Sequence, residues 1–154
     1  MRPFFLFALP LYALDQVTKY LTLKHIPFGD SVTVIPNFFS LVHVSNTGAA
    51  FGMLQHNNAF FIALATLAIV VLVILRWRGA FRGRAETAAW ALLLSGVAGN
   101  LTDRLLHGSV VDFLSFILPF YGEWPAFNVA DSCICVAAAL LIGVSLFGKP
   151  AKVK

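Results

Sequence analysis

Charge is scarce in this chain of 154 residues. Asp, Glu, Lys and Arg together make up 12% of it, half the roughly 25% of an ordinary soluble domain. That scarcity excludes a disordered segment, which is poor in apolar residues and rich in charge. It also excludes a protein that coats nucleic acid, although the net charge is +4 and the pI is near 9.4. Cysteine is almost missing. Cys133 and Cys135 are the only two, and side chains two apart on a helix point in different directions, which excludes a local disulfide. The four histidines, His25, His43, His56 and His107, are scattered, with no HExxH or paired spacing. Without clustered ligands no metal is expected, and no organic cofactor is implied. What fills the chain is apolar: 59% hydrophobic residues, 15 Phe and three Trp, with a mean hydropathy of +0.83. The class these numbers define is a single integral membrane unit, with no room for a second sizeable domain.

A transmembrane helix needs about 20 mostly apolar residues. Four stretches qualify, at approximately 3–23, 59–75, 88–106 and 127–147. The first carries Asp15 and Lys19, the fourth carries Asp131, and the second has no charge at all. The first is not read as a cleaved signal peptide: no small-x-small site ends it, and three more spans follow. Orientation comes from Lys and Arg. Arg2, the loop with Arg76, Arg78, Arg82 and Arg84, and the tail with Lys149, Lys152 and Lys154 hold eight of the 11 basic residues. All fall on one side, so both termini are expected in the cytoplasm. In the first outer loop, Ser31–Ile35 and Phe38–Val44 flank Pro36-Asn37 and read as two short strands around a turn. The expected fold is all-α and polytopic, with four transmembrane helices and a small periplasmic β element at about 31–44.

The seven acids are then few enough to place one by one. Glu86 lies on the cytoplasmic side, and Asp30 and Glu123 lie in the outer loops. At 1.5 Å per residue, Asp15 is about 20 Å along its span from Arg2, Asp103 about 25 Å from Glu86, and Asp131 about 24 Å from Phe147. Asp112 follows the outer end of the third span. All four should gather near the outer edge of the hydrocarbon layer, where a carboxylate is costly and is either paired or functional. Asp15 has Lys19 at i+4, a helix-supporting pair. Asp103 stands evenly between pairing and function, since Arg104 adjoins it but points elsewhere on the helix. Asp112 and Asp131 have no cation nearby in sequence and bracket one outer hairpin, so function is the preferred reading. Two carboxylates at one site split their pKa values. One then acts as base on a water while the other acts as acid toward a carbonyl oxygen.

Polar residues surround these acids in four motifs: DQVTKY (15–20), VHVSNTGAAFG (42–52), GNLTDRLLHGSVVDFL (99–114) and FNVADSCI (127–134). Together, on four spans, they resemble the lipoprotein signal peptidase family, the type II signal peptidases of bacteria, over essentially the whole chain. The resemblance implies an aspartic endopeptidase of the cytoplasmic (inner) membrane with its active site at the periplasmic face. It would remove the signal peptide from prolipoproteins before a diacylglyceryl-modified cysteine. Carried over by motif, the catalytic pair is Asp112 and Asp131. Asn46, Gly48, Asn100, Asp103, Arg104, Asn128 and Ala130 are motif positions, and Asp15 is a supporting aspartate. The expected partners are the lipidated precursors and membrane lipids; a monomer is the default.

The physics of each residue type suggests further roles. Asn46 and Asn100 suit hydrogen bonding to an extended substrate backbone. Arg104 suits anchoring of carbonyls or the lipid phosphate region. Asn128 lies three residues before Asp131 and is placed to orient it. Gly48, Ala49 and Ala50 leave room for close backbone approach, or simply make a tight turn. Phe51–Phe61 suits the interface, and Tyr121 and Trp124 suit an aromatic belt. Competing readings are weaker. A serine protease lacks a base, because no His falls in a span, and Ser95 with Gly99 reads as a small-residue packing face. A proton or ion relay predicts acids spread through the membrane depth, whereas these crowd one edge. A scaffold would not require paired, uncompensated carboxylates.

Overall fold

A computed structural model describes residues 7–48 and 54–147. The chain runs α1 (Leu9–His25), β1 (Ser31–Ile35), β2 (Phe39–Asn46), α2 (Asn58–Trp77), α3 (Arg84–His107), β3 (Val110–Leu118), β4 (Gly122–Phe127) and α4 (Val129–Phe147). Residues 3–6 of the expected first span, the basic positions Arg2, Lys149, Lys152 and Lys154, and residues 49–53 of the expected interfacial stretch lie outside the described residues.

The expected all-α class needs correction. The four helices are present, but the second outer segment, expected as loop, forms β3 and β4. The sheet has four antiparallel strands in the order β1-β2-β3-β4. Val110–Leu118 (VVDFLSFIL) is a nearly continuous apolar run buried on both faces at its start, so it lacks the alternation that marks a half-exposed strand. β2 also runs two residues past its expected end, to Asn46. A row of rings crosses the sheet: Phe39 stacks on Phe116 at 4.7 Å and Phe116 on Phe127 at 5.8 Å.

α3 is the central helix and packs against α1, α2 and α4. Its small residues permit this. A Cβ at Gly96 would strike the carbonyl oxygen of Ala130, and one at Gly99 would lie 2.5 Å from Asp15 Oδ2. α3 ends at Gly108, whose φ of +76° makes the left-handed cap that turns the chain into β3. Toward the Arg84 end of α3, Ala8, Leu72, Phe81, Trp90, Ala91 and Leu94 form an apolar core. Trp90 Nε1 donates to Leu72 O at 3.0 Å, so its one polar atom is satisfied.

Elsewhere the helices are inverted relative to those of a water-soluble protein. α1 buries Asp15, Lys19 and Thr22 and exposes Leu9, Leu14, Val17 and Leu21. α3 buries Asp103 and Arg104 and exposes Leu105 and Leu106. α2 and α4, with mean hydropathies of 2.8 and 2.2, are long and apolar enough to cross a membrane, and α2 exposes Leu64, Leu67, Val70 and Val73.

Candidate active site

Five elements, α1, β2, α3, β3 and α4, converge on a polar cluster at the far end of α3 from the apolar core. α4 contributes its first turn. Asn128 precedes the helix and its carbonyl accepts the first helical hydrogen bond, from Ser132 N at 3.2 Å. Asn128 Oδ1 accepts Asp131 N–H at 2.9 Å, and Asp131 Oδ2 accepts Asn128 N–H at 3.3 Å. This reciprocal pair is a capping box with Asp in place of the usual Glu. It fixes Asp131 at the helix N-terminus, where a carboxylate is favoured by the unpaired amides.

β3 contributes Asp112, 2% exposed. In the sheet, Asn46 lies opposite Val110. Asp112 is two residues further along β3 and therefore on the same face as Val110, within diagonal reach of Asn46. Asn46 Nδ2 donates to Asp112 Oδ2 at 2.9 Å. Asn128, fully buried, joins the two acids. Its Nδ2 donates to Asp112 Oδ1 at 2.8 Å while its Oδ1 and main-chain N–H hold Asp131. Burial, and then the neighbouring charge of Asp131, push the Asp112 carboxyl up to about 7, against the hydrogen bonds from Asn46 and Asn128 and the positive charge of Lys19.

α3 contributes Asn100, Asp103 and Arg104. Asn100 Nδ2 donates to Asp131 Oδ1 at 2.7 Å. Asn46 and Asn100, expected to meet a substrate backbone, are thus turned onto the two carboxylates here. Asp103 does not join them. It pairs with Lys19 at 2.8 Å and accepts Val111 N–H at 3.1 Å, tying α3 to α1 and β3. Asp15 pairs with Lys19 at 2.9 Å, as its i+4 spacing suggests, and accepts Ala130 N–H at 2.8 Å, tying α1 to α4. Ala130 sits tightly on α3: its carbonyl lies where a Cβ at Gly96 would be, and its own Cβ faces Gly99.

Arg104 is buried over the Phe61 ring, 4.3 Å from its centroid, and Nη2 donates to Gly48 O at 2.8 Å. Its Nη1 and the nearby Asn58 Oδ1 have no hydrogen-bond partner among the described residues. Sequence reading missed Gln16, whose Nε2 bridges Asp15 at 3.1 Å and Asp103 at 3.2 Å. An amide next to an aspartate in an apolar span was the available signal. It also saw Lys19 only as a helix partner of Asp15, and missed Asn58, which donates to Arg104 O at 3.1 Å.

An inverted bundle around buried acids suits a membrane protein, and a similar solved structure is of a membrane enzyme. The chain is similar to one described as a bacterial membrane enzyme structure solved by the in meso method at 2.3 Å resolution, with a TM-score of 0.86, 33% identity, and coverage of 100% of this chain and 96% of that one. The sequence is more specific. Residues 7–147 match the family described as Signal peptidase (SPase) II. The lipoprotein signal peptidase of Psychromonas ingrahamii is 42% identical over 92% of this chain and 83% of its own. That of Brevibacillus brevis is 40% identical over 95% of this chain and 97% of its own. The chain belongs to the signal peptidase II family, and the aspartic endopeptidase class expected from its motifs is borne out at that level.

Proposed function

We propose that this protein is a lipoprotein signal peptidase of the bacterial inner membrane. It cleaves diacylglyceryl-modified prolipoproteins before the lipidated cysteine, with Asp112 and Asp131 as the catalytic pair. The observation that carries the reading is the Asn128 bridge: one fully buried amide bonded to a carboxylate on β3 and to the start of α4. Such an arrangement holds two acids at one site and makes their charges oppose each other. With one proton between them, the ionised carboxylate takes a proton from water as its oxygen attacks the scissile carbonyl. The protonated one, for which the raised Asp112 is suited, gives its proton to the carbonyl oxygen. The tetrahedral intermediate then collapses, the C–N bond breaks, and the amine leaves with a proton from the pair. No metal or organic cofactor enters the scheme.

The four helices are four membrane spans. Hydropathy alone selects α2 and α4, but α1 and α3 turn their charges inward and their leucines outward, an arrangement stable in lipid and costly in water. The arginines between α2 and α3 support a cytoplasmic position for that loop and for both termini. The sheet and the acids then lie on the periplasmic side, where Phe120 and Tyr121 at the β3–β4 turn, both exposed, meet lipid headgroups. Arg104 Nη1 and Asn58 Oδ1, without partners among the described residues, suit a substrate peptide group, carbonyl to one and N–H to the other. The working unit is a monomer.

Purified protein in detergent should cleave a diacylglyceryl precursor and leave the unlipidated precursor intact. Asp112→Asn and Asp131→Asn should each abolish cleavage while the protein remains folded and binds substrate. Cleavage by either variant removes the pair assignment. Failure of the unaltered protein to cleave removes the substrate assignment.

A further inference from the structure

Lys19 is 2% exposed and its ammonium has three N–H donors and no acceptor. All three are used. Two go to Asp15 Oδ2 at 2.9 Å and Asp103 Oδ2 at 2.8 Å, which already offset the charge. The third goes to a neutral amide on another helix, Asn100 Oδ1, at 3.0 Å. That same oxygen accepts Asn128 Nδ2 at 3.2 Å. With both contacts fixed on the oxygen, Asn100 Nδ2 has one place left to point, at Asp131 Oδ1, 2.7 Å away. A flipped amide would set its NH₂ against an ammonium and a second NH₂, and its oxygen against a carboxylate, so three contacts would fail at once.

We propose that Lys19 is a positioning residue for the reaction: it locks the Asn100 amide with Nδ2 toward Asp131, and so holds the carboxylate pair in register. This deepens the proposed function and rests on Asp112 and Asp131 being the pair. The helix start performs the same service for Asn128, since Asp131 N–H occupies Oδ1 and leaves Nδ2 for Asp112. The result is a one-way set of donors. Asp131 Oδ1 receives Asn100 and its Oδ2 receives Asn128 N–H. Asp112 Oδ1 receives Asn128 and its Oδ2 receives Asn46. Among the described residues each of the four oxygens takes one donor, which leaves acceptor capacity for the shared proton and the water. Release of the Asn100 amide would strip one oxygen of its donor and let the Asp131 carboxylate rotate.

The test is a mutant cycle in a charge-balanced background. Asp103→Asn removes one buried negative charge and keeps an oxygen for Val111 N–H, so the double variant with Lys19→Met has the net charge of the unaltered cluster. Against the unaltered protein, whose net charge it shares, the double variant should lower kcat by about 100-fold, the scale of a misplaced reacting group, with KM within a few-fold and Asp103→Asn alone far less affected. In a background that also carries Asn100→Ala, Lys19→Met should cost nothing further, because its target is gone. Its removal should also raise the pH at which activity falls on the alkaline side, since its charge opposes protonation of Asp112; the other charges acting there are Asp131 of α4 and Arg104 of α3. Multiplying losses, or a loss of melting temperature with kcat per folded molecule intact, overturn the proposal in favour of a purely structural lysine.

If the combined variant does not fold, Asn100→Asp in the otherwise unaltered chain decides. It keeps an acceptor for Lys19 and replaces the donor facing Asp131. An unchanged kcat overturns the lock, because the donor that Lys19 fixes would then be dispensable. Cleavage by Asp112→Asn or Asp131→Asn would show separately that the underlying pair is wrong.

Discussion

The two ends of α3 are built on opposite rules. Toward Arg84 the helix packs Trp90, Ala91 and Leu94 against Leu72, Phe81 and Ala8, and nearly every contact there is dispersion. Toward His107 the same helix buries Asp103 and Arg104 and half-buries Asn100 among Asp15, Lys19, Asp112, Asn128 and Asp131. The first end stabilises the fold by close packing, in lipid as in water. The second holds charges away from water, and such sites are seldom net stabilising even when every partner is present. The difference teaches where each kind of substitution should be felt: stability at one end, rate at the other.

Substitutions that cross the two ends test that division. The largest expected effect is Asn128→Ala. It removes the amide shared by both acids and also the cap of α4, so kcat should fall by at least about 100-fold, measured by cleavage of a lipidated precursor. If the loss were explained by unfolding alone, the division would fail. Next is Trp90→Ala at the apolar end. The cavity and the lost hydrogen bond to Leu72 should cost about 3 kcal/mol of stability. Below its new melting temperature, kcat should be unchanged, because no atom of Trp90 enters the carboxylate cluster.

A smaller effect sharpens the comparison by sign. The Asp112 carboxyl titrates near 7 in the folded chain, against about 3.9 for an unfolded aspartate. The folded state therefore holds this proton more tightly. The stability linked to it is fully present below about pH 4, is lost as pH rises toward 7, and stays lost above. Asp112→Asn, which carries no charge to bury, should then melt several degrees above the unaltered protein at pH 8, with the gap closing toward pH 4. An activity-abolishing change that stabilises the protein is what a functional polar end predicts. A drop in melting temperature at pH 8 would mark Asp112 as structural.

Much of this was readable from the chain, for identifiable reasons. The four helices followed from apolar run length, and the acids collected at one end because helical rise fixes their depth. Asp15 with Lys19 followed from i+4 spacing, and Asn128 with Asp131 from three-residue spacing at a helix start. What escaped was long-range pairing. β3 is too uniformly apolar to show alternation, so Asp112 was placed in a loop when it sits on a strand beside Asn46. Gln16 and the third bond of Lys19 depend on how α1 meets α3 at Gly99, a contact between positions more than eighty residues apart. Asn46 and Asn100 are chemically suited to a substrate backbone, and only the packing shows them bonded to the two acids.

The central claim is that Asp112 and Asp131 work as a pair holding one proton, and the pH dependence of kcat/KM for a lipidated precursor tests it most directly. The apparent values belong to the pair and not to either residue. With Asp112 protonated up to about 7, kcat/KM should fall above that pH by about tenfold per unit as the proton donor is lost. A kcat/KM that instead rises through pH 7 and holds level to pH 9 would contradict a shared proton.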